Sequence, residues 1–316
     1  MLLMSFGIFS LSSCKHGALT TPSVPPKYLP TNDAYTQLLA IKDSLLPRTL
    51  DSNQILSVEF IDRKYGNSFS SFASALGVVD PNDHQGVVNN NTYYFLLYSN
   101  TSLGSTLQFY DLNNENAHKI DIPNLFLSYL TFDSVAQTYY ARSHHLPGPD
   151  SLVSFQVIGS FLSAYSCLTA IPSNVRSITV DQVSHKVYML SGSGAYKLSL
   201  YNGSAVSSIS LSASNTTILG LRFNQNDNFL YAMQDSSIVK IDPASGNISK
   251  VMSQSSILDT ATFGAVYDQY NDQYIISGVK RSTADSGVFI VYDRRANKIA
   301  NINVSPYCYL ALAIRR

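Results

Sequence analysis

The sequence predicts an all-β chain folded as a single β-propeller of six four-stranded blades. Three observations predict it. Strand formers dominate, with 21 Tyr and 15 Phe among 316 residues, and Ala-Glu-Lys helix runs are absent. A strand-turn-strand pattern recurs with a period near 44 residues, the length of one blade. The last apolar segment, Tyr309-Leu310-Ala311-Leu312-Ala313-Ile314, matches the opening strand of a unit (Ile218-Leu219-Gly220-Leu221-Arg222-Phe223), and no further unit follows it.

From the N-terminus, residues 1–13 (MLLMSFGIFSLSS) form an apolar run too short to span a bilayer as a permanent helix. It reads as a signal peptide that lacks a basic start. The run ends Leu11-Ser12-Ser13-Cys14, which resembles the lipobox of bacterial envelope lipoproteins. That resemblance implies cleavage before Cys14, lipid on its thiol, and a chain anchored to the membrane through that lipid, in the outer membrane or at the cell surface. Residues 14–30 hold four prolines and few apolar side chains, and read as an extended tether. Residues 31–49 are predicted as a short helix: Thr31 or Asn32 can cap it, and Tyr35, Leu38, Leu39 and Ile41 give it an apolar stripe ending near Pro47. The propeller is placed at 50–316. Cys167 and Cys308 fall in separate repeats and are expected as two buried free thiols, one disulfide being the alternative.

Within the propeller, a short apolar strand ends in Asp or Asn, a polar turn follows, and the next strand carries Tyr near its start. The instances are Asn89 with Tyr93, Asp133 with Tyr139, Asp181 with Tyr188, Asn224 with Tyr231 and Asp268 with Tyr274. The Asp/Asn positions are 44, 48, 43 and 44 residues apart. Each unit then shows a third strand closed by an Asp, Asn or Gly turn (LQFYDLNNEN, YKLSLYNGS, IVKIDPASGN, FIVYDRRAN) and a short fourth strand. Asp and Asn recur here because their side chains bond nearby backbone N–H groups and tolerate left-handed φ. The ring is expected to close by pairing 309–314 with strands before residue 85. Five repeats and this composite blade make six; a seventh would follow if 50–85 held a further blade.

Charge excludes some functions. Charged residues are 13% of the chain and the net charge is zero, so nothing could neutralise a row of phosphates; nucleic acid is excluded as a partner. The phrase IDPASGNISKV resembles blade endings in the YVTN, NHL and quinoprotein-like propellers, and 86–304 resembles that irregular superfamily as found on bacterial (Bacteroidota-type) envelope proteins. Four Asp-Ser/Thr-apolar triplets, Asp43-Ser44-Leu45, Asp133-Ser134-Val135, Asp150-Ser151-Leu152 and Asp259-Thr260-Ala261, resemble the O-glycosylation sequon of such proteins.

No nucleophile elbow or zincin spacing occurs, and no catalytic or cofactor-binding residue is assigned. The metal-ligand candidates are His144, His145 and Asp150 in the segment RSHHLPGPDS, which brings imidazole and carboxylate close together. Asp133, Asp181 and Asp268 offer calcium-type oxygens, but repeat-equivalent residues are expected to cap their own turns. Arg294-Arg295 and Arg315-Arg316 read as solvated pairs. The expected function is a lipoprotein propeller that binds or scaffolds a protein, glycan or small ligand. The alternative is a lactonase- or lyase-like enzyme acting on sugars at the central channel mouth.

Overall fold

A computed structural model describes residues 37–44, 55–61, 68–76, 85–99, 104–114, 116–144, 148–253, 258–280, 287–303 and 307–315. The signal, the tether and Cys14 lie outside these ranges. The chain opens with β1 (Gln37–Ser44), β2 (Ile55–Ile61) and β3 (Ser68–Leu76). The second sheet is β4 (Val87–Asn89), β5 (Thr92–Ser99), β6 (Gly104–Asp111) and β7 (Asn116–Pro123). The third is β8 (Phe126–Asp133), β9 (Thr138–His144), β10 (Ser151–Ile158) and β11 (Phe161–Ala170). The fourth holds β12 (Val175–Val180), β13 (Val187–Tyr201) and β14 (Val206–Thr216). The fifth runs through β15 (Ile218–Asn224), β16 (Phe229–Gln234), β17 (Ser237–Ile241) and β18 (Ile248–Ser253). The sixth is β19 (Leu258–Asp268), β20 (Gln273–Lys280), β21 (Gly287–Asp293) and β22 (Lys298–Asn303). Last comes β23 (Tyr307–Arg315), which returns to β1 and completes the first sheet in the order β23-β1-β2-β3.

These are six blades. Their first strands, β23, β4, β8, β12, β15 and β19, each neighbour the next around a closed ring. Closure is as the sequence predicts: Tyr309 pairs with Lys42, and Leu310 with Ile41. The fourth sheet has three strands because β13 does the work of two. It turns at Gly192 (φ 120°) and Gly194 (φ 84°), and its first half pairs with β12 while its second half pairs with β14. A Cβ on Gly192 would sit 2.2 Å from the Ala195 carbonyl oxygen, so only glycine makes this corner.

The helix predicted over 31–49 is corrected: Gln37–Ser44 is β1, the second strand of the first blade, and the propeller begins there rather than at residue 50. Leu38, Leu39 and Ala40 are all buried, at 1%, 0% and 0% exposure. A second strand is covered on both faces by neighbouring blades, so consecutive apolar residues replace alternation, and such a run fits a helical stripe equally well. Cys167 is corrected too: it is a free thiol, but an exposed one on the outermost strand β11.

The core lies between blades. One cluster joins β8 and β9 residues (Leu130, Tyr139) to β6 (Leu107, Phe109), another joins Tyr188 and Leu198 to Leu221 and Phe223, and others follow around the ring. Aromatic rings mediate this stacking: Tyr188 on Phe223 at 5.4 Å and 4°, and Tyr94 tilted against Tyr139 at 5.2 Å and 60°. The five repeat tyrosines are 0–5% exposed, and burying a ring of that size contributes roughly 2–3 kcal/mol.

Asp133, Asp181, Asn224 and Asp268 cap their turns, while Asn89 reaches across to Gln137 and Tyr139 of the next blade. Asp133 accepts the N–H groups of Val135 (3.0 Å) and Ala136 (2.9 Å), and Asp181 that of Val183 (2.9 Å). Asn224 accepts from Asn226, and Asp268 from Tyr270 and Asn271. The residue closing each of these turns has left-handed φ: Asn91 62°, Gln137 52°, His185 58°, Asn228 59° and Asp272 57°. Third-strand turns use Asp111, Asn202, Asp242 and Asp293 the same way.

These turns define two faces. Adjacent strands in a blade are antiparallel, so first and third turns share one end of the ring; second turns and blade-to-blade connections share the other. The capped turns meet their neighbours through hydrogen bonds: Arg315 with Asn91, Asn89 with Gln137 and Tyr139, Ser134 with Gln182, and Asn226 with Gln269. They form a polar belt on what we term the capped face. The opposite end is the loop face.

Candidate functional site

His144 ends β9 and Asp150 immediately precedes β10, so both lie on the loop face at the second turn of the third blade. The structure brings them together. His144 Nδ1 is 2.5 Å from Asp150 Oδ1, and Asp150 is 1% exposed. Arg142, two residues before His144 and so on the same side of β9, joins them. Its Nε donates to Asp150 Oδ2 at 2.7 Å, with Nη2 at 2.6 Å from the same oxygen. The guanidinium also donates to the carbonyls of Val175 (3.1 Å) and Ser173 (2.7 Å) at the start of the fourth blade, and lies over the Tyr129 ring at 5.9 Å. Arg142 is thus a strut between two blades, and its charge compensates the buried carboxylate.

The consequence for His144 is orientation. With Nδ1 on Asp150, the ring's orientation is fixed, and the side chain is 39% exposed. Such a group can accept or donate one hydrogen bond to a ligand, or move a proton. The metal expectation fares differently. Both Asp150 oxygens are engaged, one by a cation, and His145 lies outside the described residues. Among the described residues no group of three or more His, Cys, Asp or Glu is placed to hold a metal ion. Sequence reasoning missed Arg142. Its role depends on carbonyls more than 30 residues away, which no local pattern announces.

A second imidazole-carboxylate pair sits on the capped face. His185 Nδ1 is 2.7 Å from Asp133 Oδ2, so the same carboxylate that caps one blade's turn holds the next blade's. The calcium-type reading of Asp133, Asp181 and Asp268 resolves into these caps. Of the glycosylation-like triplets, Ser151 is buried in β10 at 8% exposure, whereas Ser134 is on the surface with its hydroxyl on Gln182.

The ring's axis carries a polar plug. Leu130, Ile178, Leu221 and Ala265 each stand three residues before their blade's capping residue. Two side chains take all four carbonyls. With the Gln85 amide oriented as its surroundings require, nitrogen toward the two carbonyls, it donates to Ile178 O at 2.9 Å and Leu130 O at 3.1 Å. Arg222 Nε donates to Ala265 O at 2.7 Å, and its Nη1 to Leu221 O at 2.5 Å. Gln85 also bridges Leu312 in the first blade, which faces the fourth across the ring, so its side chain crosses the centre.

Arg294 and Arg295, expected as solvated, instead flank Asp272. Arg294 Nη2 is 2.5 Å and Arg295 Nε 3.9 Å from Asp272 Oδ2, and the Tyr267 hydroxyl donates to Oδ1 at 2.8 Å. Burial alone would raise the Asp272 carboxyl, but hydrogen bonds from Arg294, Tyr267 and Asn226, with the Arg294 charge, outweigh it and hold the group below its ordinary value.

No family model matches the chain, and no curated protein matches it. Solved structures do. The crystal structure of TolB from Acinetobacter baumannii superposes with a TM-score of 0.67 at 8% identity, over 90% of this chain and 67% of that one. A structural-genomics protein of unknown function from Bacteroides thetaiotaomicron VPI-5482 gives 0.52 at 11% identity, over 85% and 79%. At these identities the likeness is one of fold, and it agrees with the propeller.

Proposed function

We propose that the chain is a cell-envelope lipoprotein whose propeller is a binding module for a protein, glycan or small ligand, engaged on the loop face around His144. One observation carries the reading: His144 is held through Nδ1 by a buried carboxylate while its side chain stays 39% exposed. The capped turns and the axial plug, by contrast, join blade to blade. The Leu11-Ser12-Ser13-Cys14 run and the fold shared with an Acinetobacter TolB support an envelope setting. Membrane attachment rests on Cys14: Cys14→Ala is expected to release the protein from membranes and remove the acyl mass. An unchanged mass in a chain that stays membrane-bound sinks the anchor.

The binding test is thermal stabilisation against oligosaccharides and divalent metals. A ligand at 100 times its Kd stabilises by about 2.7 kcal/mol. His144→Ala is expected to abolish the shift; a shift that survives it removes the site from His144. The Asp150–His144 pair also favours a second reading, a lactonase- or lyase-like enzyme with His144 as general base. Turnover of a sugar lactone or uronide that disappears in His144→Gln would support it, and binding without turnover would exclude it.

A further inference from the structure

Five large hydrophobic side chains are exposed among the described residues: Val135, Ile158, Phe161, Tyr165 and Val183. Four of them stand on the capped face of two adjacent blades. Val135 is in the first turn of the third blade and Val183 in the first turn of the fourth. Ile158 and Phe161 are register partners flanking the Gly159-Ser160 tip of the third blade's third turn, at 64% and 75% exposure. Gly159 there has φ 60°, so the tip is a tight hairpin with its two largest side chains outward. The segments 134–136, 158–161 and 182–184 contain no charged residue.

The chain enters on this same face. Gln37, the first residue of β1, pairs with Arg315, the last described residue of β23, and Arg315 bonds Asn91 in a capped turn. The 22 residues between Cys14 and Gln37 therefore join the propeller at the end that carries the apolar tip. Even fully extended, 22 residues span no more than about 80 Å, which bounds how far the joined face can stand from whatever holds Cys14. We propose that the capped face of the third and fourth blades docks on the neutral interfacial layer of a lipid bilayer, Phe161 and Ile158 entering it. Uncharged segments with protruding apolar tips suit a zwitterionic surface and gain nothing from anionic headgroups. Two side chains bind weakly alone; tethering raises their local concentration, so docking sets orientation while lipid supplies retention. The loop face, with His144, is then turned away from the bilayer. The proposal rests on the lipid reading of Cys14.

The chain has no Trp, so a single introduced indole is an unambiguous reporter. The lipid-bearing full chain is placed in phosphatidylcholine vesicles as Phe161→Trp, as Ile158→Trp, and as Pro123→Trp on the loop face. The tip indoles are expected to shift to shorter wavelength and to be quenched by brominated phosphatidylcholine, and the loop-face indole to do neither. Tip indoles unchanged in vesicles that retain the protein overturn the docking, leave the anchor intact, and hand the patch to a protein partner. Intact mass separates the two readings: a chain without acyl mass on Cys14 overturns the anchor, and with it the docking that rests on it.

Discussion

Gly220→Ala probes how blades lock together at the bulges of their innermost strands. Gly220 lies where the β15–β16 register shifts, with φ 67°. Its carbonyl accepts the Tyr274 hydroxyl of the next blade at 2.8 Å, and Tyr93 makes the corresponding bond to Ala311 O at 2.5 Å. An alanine Cβ at 220 would meet Tyr274 Oη at 2.8 Å and the Ala265 Cβ at 2.9 Å, both inside normal contact. Left-handed φ costs an L-residue about 1–2 kcal/mol, and overpacking a dense core adds about 1–3 kcal/mol. The expected loss is therefore about 2–5 kcal/mol, read from the denaturant midpoint at constant slope. Tyr274→Phe should cost about 1–3 kcal/mol by leaving the buried carbonyl unpaired. It also removes the atom with which the new Cβ collides. In that background Gly220→Ala should cost less, and the cycle should show coupling of at least about 0.5 kcal/mol. Strict additivity, or a Gly220→Ala loss below about 0.5 kcal/mol, would refute the interlock.

Other expectations are as direct. Asp272→Asn should destabilise at neutral pH by about 2–4 kcal/mol, because it leaves Arg294 half-buried without its carboxylate. Because the folded pKa of Asp272 is depressed, its stabilisation is present above the ordinary carboxylate pKa and is lost as pH falls through the folded value. Wild type and variant should therefore converge in acid melts, and a constant gap down to low pH would be inconsistent with that. Burial pushes the Tyr110 and Tyr188 phenols up to about 12. A raised folded pKa gives stability that is intact below the unfolded value near 10 and lost as pH rises toward 12. The phenolate absorbance of these two residues, read as the difference from Tyr110→Phe and Tyr188→Phe, should thus appear together with unfolding above about pH 10, rather than in the native state. Asp133→Ala removes both a turn cap and the anchor of His185, and should cost about 1–3 kcal/mol in thermal or denaturant melts; a cost indistinguishable from zero would show the capped belt to be slack.

Turn chemistry was the most legible level. Asp133, Asp181, Asn224 and Asp268 bond the backbone two or three residues ahead, and that need is local, so it recurs with the blade period. The closing strand was legible because 309–314 repeats an opening-strand pattern that no later unit completes. The error at Gln37–Ser44 has the opposite cause: a strand covered on both faces loses its alternation, and a helix-like stripe is all that remains.

The candidate site was half visible. His144 and Asp150 stand six residues apart, so a turn can join them. Arg142, Gln85 and Arg222 were invisible because each serves carbonyls from other blades, and Arg294-Arg295 looked solvated because Asp272 belongs to a different hairpin. By itself the sequence determined the fold class, the blade period, the capped turns and the closing strand, since short-range hydrogen bonding and strand patterning repeat with the chain. Only the tertiary structure decided which carboxylate holds His144, what fills the axis, and that four exposed apolar side chains share a face with the chain's entry. Those are facts of ring closure, which brings together residues that sequence distance keeps apart.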